Sequence, residues 1–112
     1  MAVHILEDDP GVSDSLQILL RNLGHDTFVY SDAESFFRRE PPAGTDTIIV
    51  DLLLPGISGA RVIGWLRGLR EPPRIIAISG QPQLAIDSQT RGLGQLRVLR
   101  KPLTSQIVAE IV

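Results

Sequence analysis

Ile48-Ile49-Val50-Asp51-Leu52-Leu53-Leu54-Pro55-Gly56 is an apolar run that carries one carboxylate and closes on a Pro-Gly turn signal. A short continuous apolar run bounded in this way reads as a strand buried on both faces, which puts Asp51 at its C-terminal lip. An acid in that place has two explanations. It either caps a neighbouring backbone turn, as Asp commonly does in loops, or it belongs to a site. The choice depends on whether other segments deliver matching chemistry to the same edge.

Upstream, Val3-His4-Ile5-Leu6 breaks abruptly into Glu7-Asp8-Asp9-Pro10-Gly11, a buried strand ending in an acidic turn. Asp9 and Pro10 form an N-cap and N1 pair, and Val12, Leu16, Leu19, Leu20 and Leu23 then recur at helical spacing as far as Gly24. Asp9 thus has a structural task, and Glu7 and Asp8 are left without one. Thr27-Phe28-Val29-Tyr30 is strand-like, and Ser31-Asp32-Ala33-Glu34 has the Ser-x-x-Glu form of a capping box opening a short helix through Phe36 and Phe37. Pro41-Pro42-Ala43-Gly44 is a loop. Neither His4 nor His25 has a second His or any Cys at ligand spacing, so both read as ordinary strand and loop residues.

Downstream of the central run, Val62, Ile63, Leu66 and Leu69 mark a third helix from Ala60, weakened by Gly64 and Gly68. Pro72-Pro73 ends it. Ile75-Ile76-Ala77-Ile78 is a further apolar strand, stopping at Ser79-Gly80. Residues 83–91 continue the alternation as a helix closed by Gly94, although Asp87, Ser88 and Thr90 are poor helix formers. Leu96, Val98 and Leu99 make a fifth strand ending in Arg100-Lys101-Pro102, and Thr104 caps a last helix of about two turns.

Five β-then-α steps imply a parallel sheet covered by helices on both faces, an α/β doubly wound fold. Right-handed crossovers bring every strand's C-terminal end to one edge, where open α/β sheets place their ligands. The first strand then delivers Glu7 and Asp8, the third Asp51, the fourth Ser79 and the fifth Lys101. This convergence favours a site. Three crowded carboxylates repel one another at neutral pH unless a cation joins them; with no Cys and no paired His, the oxygen donors indicate Mg²⁺ or Mn²⁺. Lys101 and Ser79 suit a phosphoryl group lying between them and the metal, with Asp51 as a carboxylate nucleophile.

The remaining composition narrows the class. The 112 residues, 43% hydrophobic and 21% charged with a formal net charge of −2, suit one globular domain. That balance and a pI near 5.6 provide no general attraction to nucleic acid or to anionic membrane. The absence of cysteine removes disulfides and thiolate metal sites. The chain contains no apolar run of membrane-spanning length and its start lacks a signal peptide's features, so a cytoplasmic protein is expected.

On these residues the chain resembles the receiver domain of a two-component response regulator. The likeness runs through Val3 to Asp9, Asp51 to Gly59, Ser79-Gly80 and Lys101-Pro102, and extends over essentially all of residues 1–112, with the last helix read as truncated and the polypeptide continuing past Val112. The resemblance implies a five-stranded sheet of order 2-1-3-4-5, with Asp51 phosphorylated from the phosphohistidine of a sensor histidine kinase or a phosphotransfer protein. It implies that Asp8 and Asp51 ligate Mg²⁺ directly, Leu53 lends its backbone carbonyl and Glu7 acts mainly through water. Ser79 and Lys101 would hold the phosphoryl oxygens, and the Lys101-Pro102 bond would be cis. The opening segment is most similar to receivers that precede a helix-turn-helix output domain. Such a domain is a signalling phosphoacceptor rather than an enzyme, signals or dimerises through the face made by its fourth helix, fifth strand and fifth helix, and does not itself bind nucleic acid.

Three positions depart from the pattern: Glu7 replaces a usual Asp, Leu53 has no polar group to orient an attacking water, and Val98 stands where an aromatic switch residue is common. Three rival readings are a degenerate receiver used only as a protein-binding module, a phosphohydrolase with an aspartyl nucleophile, and a flavodoxin-like nucleotide binder. The phosphohydrolase would want an Asp where Leu53 stands, and the nucleotide binder a phosphate loop where Glu7-Asp8-Asp9 stands.

Overall fold

A computed structural model of the chain describes residues 2–111. Five strands alternate with five helices: β1 (Ala2–Leu6), α1 (Pro10–Asn22), β2 (Asp26–Tyr30), α2 (Ala33–Phe37), β3 (Thr47–Asp51), α3 (Gly59–Arg67), β4 (Arg74–Ser79), α4 (Gln83–Thr90), β5 (Arg97–Arg100) and α5 (Ser105–Ile111). All sheet pairings are parallel, in the order β2-β1-β3-β4-β5. The expected doubly wound topology is the one observed.

Alternation along the central strands divides the core between the two faces of the sheet. Leu6, Ile48, Val50 and Ala77 join Tyr30, Phe36, Val62, Ile63, Leu66 and Ile86 on the face covered by α2, α3 and α4. Val3, Ile5, Ile49 and Ile78 pack on the other face with Leu16 and Leu20 of α1 and Val108 of α5. Each fully buried Ile, Leu or Val contributes about 1.5–3 kcal/mol relative to exposure. That burial on both faces explains why β1, β3 and β4 read as unbroken apolar runs, whereas the edge strands β2 and β5 do not.

Local chemistry starts and stops the helices. The Asp9 carboxylate accepts the Gly11 N–H at 2.9 Å with Pro10 opening α1, Ser58 accepts from Arg61 N–H on α3, and Thr104 accepts from Ile107 N–H on α5. The expected Ser31 capping box is not formed. Asp32 is the N-cap of α2, accepting the Ser35 N–H at 2.7 Å. Ser31 and Asp32 are both good caps, and the carboxylate makes the stronger, charge-assisted bond. The fourth helix ends at Thr90, before Gly94, in a turn where Gly92 and Gly94 both have positive φ. It has no side-chain N-cap bond, begins after Pro82, and buries only Ile86.

His4 is structural, as its isolation in sequence indicates. Its Nε2 lies 3.0 Å from Asp46 Oδ2 and its Nδ1 3.1 Å from the Tyr30 hydroxyl, with its ring stacked on that of Phe28. Asp46 also accepts the Ala2 and Ala43 N–H groups, so one carboxylate pins the start of β1 to the loop before β3. These bonds hold its carboxyl below the ordinary value despite the opposing effect of burial.

Gly64, on the exposed face of α3, has no neighbour within 4 Å of where a Cβ would sit, so it serves no close packing. Gly64→Ala should therefore stabilise the domain by about 1 kcal/mol, the helix propensity difference, seen as a rise in thermal midpoint. An unchanged or lower midpoint would mean that α3 packs through this glycine.

Candidate functional site

Four chain segments meet at the C-terminal edge of the sheet. β1 passes into Glu7 and Asp8, β3 ends on Asp51, β4 ends on Ser79, and Lys101 stands one residue beyond β5. Glu7 and Asp51 are buried and Asp8 is exposed, and their carboxylates offer oxygens that all lie within 4.8 Å of one another. The backbone aligns them: β1 and β3 are paired through Leu6 and Val50, and Asp51 is paired with Ile78 of β4.

Asp51 is held at both oxygens. Oδ1 accepts the Leu53 backbone N–H at 2.9 Å, and Oδ2 accepts from Lys101 Nζ at 2.8 Å. The turn into α3 presses on the same residue from behind. A Cβ at Gly59 would lie 2.1 Å from the Asp51 carbonyl oxygen and 2.8 Å from Leu52 Cα, so only glycine allows this approach. Gly56, at φ +72°, turns the chain just before it.

Lys101 bridges the two buried acids, with Nζ 2.5 Å from Glu7 Oε1 as well as on Asp51. Partial burial alone would push its ammonium down; the bonds to Asp51 and Glu7 outweigh this and hold it above the usual lysine value. Glu7 is pushed up to about 8, first by burial, then by the neighbouring Asp51, with Lys101 only partly offsetting them. Its second oxygen, Oε2, is buried with no hydrogen-bond partner among the described residues. An orphaned carboxylate oxygen beside two further carboxylates, all hard donors, fits a divalent oxygen-loving cation. The longer Glu at this position thus reaches Lys101 directly, a contact the resemblance alone does not imply.

Ser79 is fully buried and sits apart from this network. Its carbonyl accepts the Lys101 N–H at 2.9 Å, but its hydroxyl bonds to Gln81. Leu53 stands at the lip, 59% exposed, leaving that flank of Asp51 without a polar side chain. Val98 is partly buried against the core, and the Lys101-Pro102 bond is cis, as the resemblance implies. Gly59 and Gln81 carry no sequence signal of their roles. Gly59 lies within a motif that reads as a turn, and Gln81 is a lone polar residue whose partners only the fold supplies.

The fold and the edge cluster together define a class: a doubly wound sheet with an acidic group and a lysine gathered at its switch in strand order. The chain belongs to the response regulator receiver domain family, whose model matches residues 3–112. Among curated proteins it is 24% identical over 100 residues to the transcriptional regulatory protein FixJ of Bradyrhizobium diazoefficiens, a match covering 89% of this chain and 49% of that protein. It is 32% identical over 83 residues to the sensory transduction protein RegX3 of Mycobacterium tuberculosis, covering 74% of this chain and 37% of RegX3. The chain thus spans about half the length, or less, of these relatives. Among solved structures, a CheY-like response regulator receiver domain protein from Methanospirillum hungatei superposes with a TM-score of 0.85 at 19% identity, covering 98% of this chain and 88% of that one. The chain is accordingly a signalling domain of two-component type, and among its described residues no helix is long and apolar enough to cross a membrane.

Proposed function

We propose that residues 1–112 form a receiver domain in which Asp51 accepts a phosphoryl group from the phosphohistidine of a partner kinase or phosphotransfer protein. The observation that carries this reading is the grip of Lys101 Nζ on Asp51 Oδ2, made beside Glu7 and Asp8 at one sheet edge. An Asp51 carboxylate oxygen attacks phosphorus; an O–P bond forms, the P–N bond breaks, and the imidazole leaves with the electron pair. The product is an acyl phosphate on Asp51. Lys101 follows the charge from the carboxylate to the phosphoryl oxygens, and the Ser79 hydroxyl donates to another of them. Asp8 and Asp51, with the Leu53 carbonyl and with Glu7 acting mainly through water, would hold Mg²⁺ or Mn²⁺, which when bound would supply positive charge against the clustered carboxylates and the transferring group. The Leu53 N–H keeps Oδ1 aimed while this happens.

The same features separate this reading from a phosphohydrolase. The exposed Leu53 side chain places no acid or base beside the acyl phosphate. Incubation with acetyl phosphate should add one hydroxylamine-labile phosphoryl group per chain in the presence of Mg²⁺ and none in the presence of a chelator. Continuous release of inorganic phosphate without accumulation of modified protein would identify an enzyme instead, and no uptake at all a binding module.

A further inference from the structure

Val98 on β5 stands where an aromatic switch residue is common, but it has a single short torsion and no ring to swing between exposed and buried positions. A different connection leaves Ser79 in this chain. The Ser79 hydroxyl accepts the Gln81 backbone N–H at 3.0 Å and donates to Gln81 Oε1 at 3.3 Å. The Gln81 carbonyl in turn accepts from Arg100 Nη2 at 3.3 Å. Arg100 pairs with Ser79 in the β4–β5 register, ends the edge strand, and is exposed. One loop residue therefore touches both the buried hydroxyl and a surface guanidinium.

Building on the phosphoacceptor reading, we infer that Gln81 relays the occupancy of the Asp51 site to Arg100. A phosphoryl oxygen is a charged acceptor and outcompetes the neutral amide oxygen of Gln81 for the Ser79 hydrogen. When Ser79 turns toward it, Gln81 loses the partner of its side chain and the acceptor of its N–H together. The loop of residues 80–82 is free to shift, because it leads into a helix with no side-chain cap and one buried residue, Ile86. Its shift carries the Gln81 carbonyl away from Arg100, and the guanidinium is released at the edge of β5. The signal leaves the site through the β4–α4 loop, with Val98 a bystander.

The test uses beryllofluoride with Mg²⁺ as the phosphoryl mimic and reads three signals: bound fluoride by ¹⁹F NMR, the Arg100 side-chain Nε–H resonance, and amide exchange at residues 80–83. With fluoride bound, the Arg100 resonance should shift and the Gln81 amide should exchange about tenfold faster, the loss of roughly one hydrogen bond. Ser79→Ala, which removes both bonds that the hydroxyl makes to Gln81, should place the Arg100 resonance of the unliganded protein at its liganded position and abolish the further shift. Arg100→Gln, which cuts only the far end, should leave the faster exchange of the Gln81 amide intact. Bound fluoride with unchanged Arg100 and Gln81 signals, or a wild-type response in Ser79→Ala, overturns the relay alone. Failure of fluoride to bind the unsubstituted chain overturns the phosphoacceptor reading, and the relay with it.

Discussion

The Asp51→Asn protein, incubated with phosphoramidate and Mg²⁺, should take up no phosphoryl group under conditions where the parent chain takes up one. The substitution is nearly isosteric, and the introduced amide retains an oxygen for the Leu53 N–H, so the turn behind it is kept. It removes the anionic nucleophile, and an amide cannot form the acyl phosphate. It also sets an NH₂ group or a neutral oxygen against Lys101 Nζ, which among the described residues is left with Glu7 as its acidic partner. Intact-mass measurement reads the outcome directly. Uptake by the Asp51→Asn protein equal to that of the parent would move the acceptor to another carboxylate, Asp8 being the nearest exposed one.

The second large effect is on stability, and its sign is unusual for a carboxylate. Most acids in folded proteins titrate low, as Asp32 does under its bonds from Ser35, and such groups stabilise above the unfolded value and lose that contribution as pH falls. Glu7 is the reverse. Raised from 4.5 to about 8, it binds its proton more tightly in the folded chain than in the unfolded one. The folded state carries the extra proton between these values, so the contribution is fully present below pH 4.5 and is lost as pH rises toward 8. The slope reaches at most roughly 1.4 kcal/mol per pH unit. Lys101 titrates above this window and cannot produce the effect.

Urea unfolding in a chelating buffer should therefore show stability declining from about pH 5 to about pH 8. Mg²⁺ should oppose the decline, because it binds the ionised cluster of the folded chain and adds stability by mass action. Glu7→Gln, neutral throughout, should flatten the metal-free profile. A metal-free stability that rises across the same range would mean that Glu7 is ionised at neutral pH and paired with Lys101 as an ordinary ion pair.

Much of this is legible in the order of residues, because the central strands are buried on both faces and each ends where a polar group begins. Ile48 to Val50 and Ile75 to Ile78 admit few other readings, and the convergence of Glu7, Asp8, Asp51, Ser79 and Lys101 follows once the sheet is parallel. Sequence reasoning fails where two residues compete for one local task. Ser31 and Asp32 both cap well, and the geometry of the turn selects the second. The fourth helix is as weak as its residues indicate, resting on Ile86, but its end depends on a turn that Arg91 to Gly94 could make in several ways. What no pattern carries is distance. Gly59 against the Asp51 carbonyl, the Lys101 bridge to Glu7, and the Gln81 bonds to Ser79 and Arg100 join residues through the folded backbone alone.

The strand order has an electrical consequence. Residues 1–60 hold 10 of the 13 acids and 3 of the 11 basic residues, while residues 61–112 hold 8 basic residues and 3 acids. β2, β1 and β3 lie together on one side of the sheet and β4 and β5 on the other, so among the strand residues Asp26 and Asp51 fall on the first side and Arg74, Arg97 and Arg100 on the second, although the net charge is only −2. The sheet itself thus has an acidic flank and a basic flank, with Asp51 on the strand at their seam. A charged partner approaching through dilute electrolyte is turned before it touches, and this torque fades once salt shortens the Debye length to about 8 Å or less. Two copies meeting by their β5 edges would set Arg97 and Arg100 against like charge, whereas a copy presenting its acidic flank meets attraction.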